Sequence, residues 1–372
     1  MIVGAVSLRD FRSYAAADVR LGPGLTVVTG ANGAGKTNLL EAIYVGCTGR
    51  SCRTANDREL VRFGARVARV ELTARADDGE HVVSVGIEPG ERKRMRVDGV
   101  TVERLVDAQA RPLAAVFLPD RLELVKGPPA ARRAHLDQVV AALWPARAET
   151  RRAYGRALAQ RNALLARVRA GTASHGALSA WDRELAGHGV ALAADRAAAV
   201  TALAGPFGVA AAELGLDGEP ALAYRPRSQA RSAEELAAEL AERLDSDVER
   251  GFTGYGPHRD DLLLSRQGRE LRVYGSQGQQ RLALLSLLLA EREAIGAVRG
   301  ATPLILLDDV MSELDRARRE RLVARLEGGQ ALVTTTDLQH VPGAGDPDVT
   351  RVAVVDGVAS PEAAPASAVM AA

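Results

Sequence analysis

Two periodicities divide this 372-residue chain. Near its start, apolar residues come in short β-branched runs, IVGAVSL, ADVRL and LTVVT (25–29). After them RVARVELTAR, HVVSVGIE and RMRVDGV alternate apolar and polar positions, the period of half-buried strands, and DDGE and EPGERK separate them as hairpin turns would. PLAAVF (112–117) reads as one more buried strand. From about Arg132 to Ala212 the spacing becomes that of alanine- and leucine-rich helices, with breaks expected at GTASHG (171–176) and AGPFG (204–208). Ser232 with Glu235 forms a capping box opening an acidic helix through Arg243, and strands return near Asp261. The closing segment from 359 to 372 reads as a disordered tail. There is no internal repeat and no sustained heptad register, so long coiled-coil arms are not expected.

Between the strand LTVVT and the helical NLLEAIYV lies GANGAGKT (30–37). Gly30, Gly33 and Gly35 with Lys36 and Thr37 complete G-x-x-x-x-G-K-[ST], in which glycines let backbone N–H groups turn toward an anion. Gly30, Ala31, Asn32, Gly33, Ala34, Gly35, Lys36 and Thr37 are therefore the candidate phosphate cradle. The chain has only three lysines, Lys36, Lys93 and Lys126. One stands here because a compact ammonium can reach between β- and γ-phosphate oxygens where a planar guanidinium does not fit. A P-loop needs a metal-holding carboxylate at the end of another strand, and PLILLDDVMSELD (303–315) supplies it after an unbroken apolar run. Thr37 and Asp308 are the candidate Mg²⁺ ligands, and Asp309 the candidate group that positions the attacking water. The plainer alternative is a carboxylate pair that merely ends a buried strand.

YGSQGQQRLALLSLLLA (274–290) places Ser276, Gly278 and Gln279 before a strongly apolar helix, a hydroxyl and backbone donors suited to an anion. This S-x-G-Q resembles the signature motif of ABC-type ATPases, and SELD (312–315) resembles their D-loop. The alternative for Ser276 is an ordinary helix N-cap. In ABC-type ATPases the signature of one subunit closes over nucleotide held by the other, so the resemblance implies an ATP-dependent homodimer.

Net charge is only +1, so any nucleic-acid surface must be local. Between Arg121 and Ala170 eleven basic residues face three acidic ones, which makes Arg132, Arg133, Arg151, Arg152, Arg156 and Arg161 candidate contacts to DNA backbone, against the alternative of a solvated helix face. Aromatic residues are 3%, which argues against base stacking as the main mode. His258 and Arg259, in GPHRDD, are weaker candidates, since that stretch also reads as a turn into a strand. Cys47 and Cys52 lack C-x-x-C spacing, which fits a reducing compartment, the cytoplasm. No leader is read at the N-terminus, and the apolar run LALLSLLLA (282–290) is too short to span a bilayer, so no membrane association is expected.

Several stretches together resemble the RecF family of bacterial recombination-repair ATPases over nearly the whole chain up to about Gly357. They are LRDFRSY (8–14), GANGAGKTNLLEAIY (30–44), SCRTANDRELVRFG (51–64), LELVKGPPAARRAHLD (122–137), QRNALL (160–165), GYGPHRDDL (254–262) and LLDDVMSELD (306–315). The resemblance implies an α/β fold, an ABC/SMC-like P-loop ATPase head with an antiparallel β subdomain and an inserted helical lobe. It divides the chain into head (1–120), helical lobe (121–250), head again (251–358) and tail (359–372). It further implies ATP and Mg²⁺ as cofactors, dimerisation on ATP, DNA binding at gaps, and RecO and RecR as partners in loading RecA. Asp309 stands where ABC ATPases usually carry glutamate, as in this family, and the shorter side chain makes slow hydrolysis the expectation. The usual switch histidine is absent from LVTTTDLQHV (332–341), where Thr335 or Thr336 takes the position, and no Q-loop glutamine is evident, Gln109 preceding the candidate strand. The motif trio alone also admits an ABC subunit that energises a membrane partner, which the long insertion between the Walker motifs opposes.

Overall fold

A computed structural model gives the fold, describing residues 1–108 and 110–362. Gln109 and most of the expected tail, 363–372, lie outside the described residues. The chain forms two compact units, one combining 1–121, 213–215 and the chain from 295 on, the other 122–212 and 216–294. The second unit reaches Ala294, so the return to the head expected at 251 falls instead inside a helix.

The first unit opens with β1 (Ile2–Phe11), β2 (Tyr14–Arg20) and β3 (Leu25–Thr29), then helix α1 (Lys36–Thr48). The alternating segments become β4 (Ala68–Ala76), β5 (Gly79–Ile87), β6 (Arg94–Val97) and β7 (Val100–Val102), and PLAAVF becomes β8 (Ala114–Phe117). An antiparallel sheet runs β2-β1-β4-β5-β6-β7. Its pleat sorts β4 cleanly: Ala68, Val70, Leu72 and Ala74 are buried while Arg69 and Arg75 point outward. On that outer face Arg9, Arg69, Gly86 and Arg94 are directly paired across β1, β4, β5 and β6. The inner face packs on α1, which approaches closely because residue 46 is glycine; a Cβ there would lie 2.5 Å from Leu72 Cγ. Val6, Leu8, Phe11, Leu39, Leu40, Ile43 and Val85 complete this core, each burial contributing about 1.5–3 kcal/mol.

The second unit begins with α2 (Glu123–Lys126), α3 (Pro129–Leu143), α4 (Ala148–Arg169) and α5 (Leu178–Glu213). The break at GTASHG is present, but AGPFG does not end a helix: α5 runs through Pro206. Proline there removes one backbone bond at about 3 kcal/mol. Leu203, Phe207, Ala210 and Ala211 on either side are all buried, and that packing outweighs the loss. Residues His175–Glu213 are long and apolar enough by length and composition to cross a membrane, which amends the sequence expectation. The helix nevertheless buries Asp182 and Arg196 in ion pairs with Arg161 and Asp137 of the same unit. β9 (Pro220–Arg225), which sequence reasoning missed, precedes α6 (Ala233–Glu242) and α7 (Leu244–Arg250). Ser232 caps α6 as expected, accepting from the Glu235 N–H at 3.2 Å. β10 (Asp261–Arg266) and β11 (Arg269–Glu270) join β9 in a small antiparallel sheet, and α8 (Leu271–Tyr274) leads to α9 (Gln277–Arg299).

The first unit is completed by β12 (Leu304–Leu307), α10 (Arg316–Leu326), β13 (Ala331–Thr335), β14 (Thr350–Val355) and β15 (Val358–Pro361). The second sheet of this unit has the order β15-β14-β3-β13-β12-β8, parallel except for the β14–β15 hairpin. Residues 359–361, expected at the start of a disordered tail, belong to β15, held by pairing with β14.

Candidate active site

β3 ends at Thr29, and residues 30–35 turn before α1 begins at Lys36. Gly33 and Gly35 have φ of +82° and +118°, a region that side chains with a Cβ rarely adopt. At Gly35 a Cβ would also meet Ser13 Oγ at 3.0 Å and the Tyr14 hydroxyl at 3.1 Å. Two bonds clamp the loop from outside: the Tyr14 hydroxyl donates to the Gly35 carbonyl (3.0 Å), and the Gly357 N–H donates to the Ala34 carbonyl (2.9 Å). The Lys36 ammonium, buried, donates to the carbonyls of Gly30 (2.8 Å) and Ala31 (3.0 Å). Burial pulls its pKa down, while Asp309 and Asp308 pull the other way.

Asp308 follows β12, and its N–H continues the parallel ladder to the Phe117 carbonyl of β8 (3.1 Å). Thr37 Oγ1 lies 3.0 and 2.9 Å from the two Asp308 carboxylate oxygens. β13 runs between the P-loop strand and β12, and its Thr334, which sequence reasoning passed over, joins the two acidic residues. The Thr334 hydroxyl donates to Asp308 Oδ1 (2.7 Å) and accepts from the Asp309 N–H (3.0 Å). Asp309 has φ +48° and a buried Oδ1 with no hydrogen-bond partner. A non-glycine residue in that conformation with an unpaired buried oxygen is costly, and such strain gathers at functional sites. Ser312 Oγ donates to the Asp309 carbonyl (2.8 Å), and Asp315 caps α10 through the Arg318 N–H (2.9 Å), so SELD is tied to the acidic pair. Thr335 spends its hydroxyl on the Asp337 carbonyl (2.9 Å), whereas Thr336, next in line, is exposed. His340 lies beyond the end of β13, half-buried.

Behind the loop, Glu41 of α1 has a fully buried side chain. Arg12 grips it with two bonds of 2.9 Å, Arg53 approaches at 3.2 Å and Ser51 at 2.5 Å. The stretches around 8–14 and 51–54 thus meet on α1. Their composition alone carried no sign of this, because the shared carboxylate lies in neither.

In the second unit Ser276 and Gln279 form a reciprocal cap on α9. The Ser276 N–H donates to Gln279 Oε1 (2.9 Å) and the Gln279 N–H to Ser276 Oγ (3.3 Å). Ser276 and Gly278 are exposed at this helix start. The six candidate DNA-contacting arginines divide sharply. Arg161 is fully buried, bonded to Asp182 (2.6 Å), Asp247 (2.7 Å) and Thr253 (2.8 Å). Arg132 is buried and bidentate to Asp261 (2.7 and 2.9 Å). Neither can reach a phosphate, and both assignments are corrected: their acidic partners lie too far along the chain for local charge counting to detect. Arg133 is half-buried on the Asp260 carbonyl (2.8 Å). Arg151, Arg152 and Arg156 are exposed, the first paired with Asp137 and the others with Glu149. His258 is also internal in role: its Nε2 faces the Thr253 carbonyl (2.9 Å), so that nitrogen carries the proton, and Nδ1 accepts from the Tyr154 hydroxyl (2.7 Å). Burial lowers its pKa to about 4, only partly offset by the Thr253 bond.

A glycine-rich loop opening a helix beside a parallel sheet, with an acidic pair at the end of a strand two places away, defines the class: an ATPase head of the ABC/SMC type. The family described as RecF/RecN/SMC N terminal domain matches residues 2–357. The chain is 39% identical over 346 residues to a "DNA replication and repair protein RecF" of Heliobacterium modesticaldum, covering 91% of this chain and 93% of that one. It is 41% identical over 369 residues to the protein so described from Anaeromyxobacter sp. (strain Fw109-5), covering 96% and 98%. Among solved structures, that of "the recombination mediator protein RecF-ATP in RecFOR pathway" superposes with a TM-score of 0.87 at 28% identity, covering 97% of this chain and 98% of that one. An SMC head bound to the C-winged helix domain of ScpA shares the fold with a TM-score of 0.57 at 17% identity. The chain belongs to the RecF family of DNA replication and repair proteins.

Proposed function

We propose that this chain binds ATP with Mg²⁺, dimerises on the nucleotide, and hydrolyses it slowly while holding DNA at gaps. The observation that carries the reading is the group formed by Thr37, Asp308, Thr334 and Asp309, in which both hydroxyls bond the Asp308 carboxylate and the Asp309 Oδ1 is buried without a partner. The donor set fits magnesium: a hydroxyl and a carboxylate are hard oxygen ligands, and Mg²⁺ takes one or two carboxylates together with substrate phosphates. Bound there, the cation would neutralise charge on the β- and γ-phosphates. Thr37 and Asp308 would hold it, Lys36 would balance phosphate charge within the cradle, and the Asp309 carboxylate would position the attacking water.

The solved RecF-ATP relative supports ATP as the nucleotide. Closure of two heads is supported by the exposed Ser276 and Gly278 beside the half-buried Gln279 at the start of α9, a corner that would cap nucleotide held by the opposite subunit. Naming of that relative within the RecFOR pathway supports RecO and RecR as partners in loading RecA. The test is a binding titration on gapped, duplex and single-stranded DNA with and without ATP, repeated with Asp309→Asn. Binding should require ATP but not its hydrolysis, and the variant should trap the DNA-bound dimer. If Asp309→Asn binds ATP normally yet holds DNA less well than the parent, the clamp reading fails.

A further inference from the structure

Phe63 is fully exposed, 100% of its surface open to solvent, in a protein with few aromatic residues. A fully exposed phenylalanine adds nothing to the core, and surfaces carry few of them beyond what function needs. It sits at the tip of a turn closed by the Ala65 N–H on the Arg62 carbonyl (2.9 Å), with Gly64 at φ +83°. The base of the turn is fastened twice to β1 and the residue after it: the Arg62 N–H donates to the Asp10 carbonyl (2.8 Å) and the Arg12 N–H to the Leu60 carbonyl (2.9 Å), which together set Val61 opposite Phe11 as an antiparallel bridge. The Arg62 guanidinium adds an ion pair to Asp10 at 2.7 Å. The ring is therefore presented by a rigid support.

Arginines flank it along the chain. Arg58 and Arg66 are exposed and Arg62 half-exposed. Arg66 meets Glu88 at 3.0 Å, but that carboxylate is shared with Arg94 at 3.9 Å, so one negative charge serves two arginines. Arg94 belongs in turn to the cross-strand row of Arg9, Arg69 and Arg94 on the outer face of the antiparallel sheet. At about 4.8 Å between strands the row spans roughly 14 Å, along which duplex DNA carries about eight phosphate charges. A protein partner would need a contiguous apolar patch around the ring, and from 58 to 69 Val67 is the one other exposed large hydrophobic residue, against the exposed Arg58, Arg66 and Arg69. A single aromatic face among guanidinium groups matches an unpaired nucleobase with its flanking phosphates.

We propose that Phe63 is a base-stacking post for an unpaired nucleotide of DNA, with Arg58, Arg62 and Arg66 on the adjacent phosphates and the arginine row of the sheet along the neighbouring duplex. The inference rests on the reading that this protein binds DNA, and its test separates the two. Affinities of the full chain with ATP would be measured for a duplex carrying a single-stranded gap and for the same duplex without it, using the parent, Phe63→Ala and Phe63→Trp. Stacking of one base predicts that Phe63→Ala weakens gapped-DNA binding roughly ten- to hundredfold and leaves the ungapped duplex unchanged. Phe63→Trp should restore affinity, with fluorescence quenching on gapped DNA that the parent lacks. Because the side chain touches nothing in the fold, neither variant should alter thermal stability or ATP turnover without DNA. Equal affinity of parent and Phe63→Ala for gapped DNA would overturn the stacking post alone, as would equal weakening on both substrates. A parent protein that binds neither substrate would overturn the DNA reading and the post together.

Discussion

Replacing Arg161 by methionine tests whether the arginine-rich α4 is built for DNA or for its own lobe. Methionine keeps the length and apolar stem of the side chain and removes the guanidinium, leaving Asp182 and Asp247 without the cation that both contact, at 2.6 and 2.7 Å. Asp247 keeps the Gly254 N–H (2.9 Å), and Thr253 keeps Asn162 (2.7 Å), so the loss is the ion pairing itself. Removing one partner from a buried ion pair costs about 3–5 kcal/mol, because a charge remains in a place without water. The assay can isolate the second unit, since Trp144 and Trp181, the only tryptophans in the chain, both lie in it. With a urea dependence of about 2 kcal/mol per molar, the midpoint followed by tryptophan fluorescence should fall by about 2 M. Adding Asp182→Asn should recover part of the loss. A midpoint within about 0.5 M of the parent, combined with weakened DNA binding, would refute the placement of Arg161 inside the lobe and return it to the surface.

Thr334→Val is nearly isosteric and removes the hydroxyl between Asp308 and Asp309; at about 1–3 kcal/mol for the unpaired buried group, ATP turnover should fall by roughly ten- to a hundredfold, and an unchanged rate would mean Thr334 only packs. Lys36→Arg and Ser276→Arg should each abolish hydrolysis, while a covalently linked dimer of the two should regain it at the one composite site free of both lesions; a linked dimer that closes on ATP yet stays inactive would leave Ser276 as a cap within its own helix. His258 has a folded pKa of about 4, below the unfolded value near 6.5, so the unfolded chain binds the proton first as pH falls. The stability it contributes is therefore complete above about pH 6.5 and declines by roughly 3 kcal/mol as pH drops toward 4; urea titrations of His258→Gln should lack this part of the slope.

The loop from 30 to 37 and the strand-end pair 308–309 were legible because each motif is local: a run of glycines or an apolar strand announces its own geometry. Thr334 was not legible, since its importance comes from β13 lying between β3 and β12, a fact of sheet order that leaves no trace in LVTTT. The alternating strands β4 to β6 could be read from their period, whereas α5 crossing Pro206 could not, because the packing of Phe207 and its neighbours overrules a local breaker. Charge counting failed most clearly at Arg132 and Arg161. A window of sequence sums nearby charges, and the carboxylates that neutralise these two stand 129 positions away at Asp261 and 21 and 86 positions away at Asp182 and Asp247. The same counting overlooked the outer sheet face, whose arginines come from three separated strands and become neighbours only through register.

The order β14-β3-β13 also constrains how the molecule comes into being on the ribosome. β3 is among the first strands made, but its hydrogen-bonding neighbours begin at Ala331 and Thr350, so its backbone groups wait for almost the entire polypeptide. The antiparallel sheet from β1 to β7 can close earlier, because all its partners lie within the first 102 residues. A nascent chain would thus carry a folded N-terminal sheet beside an unpaired β-branched strand and a glycine loop with no wall behind it, the kind of edge that invites mispairing. Nucleotide affinity would arrive late and abruptly, when residues 331–355 dock. Premature termination before that point would yield a polypeptide that cannot hold ATP and is exposed to aggregation and proteolysis.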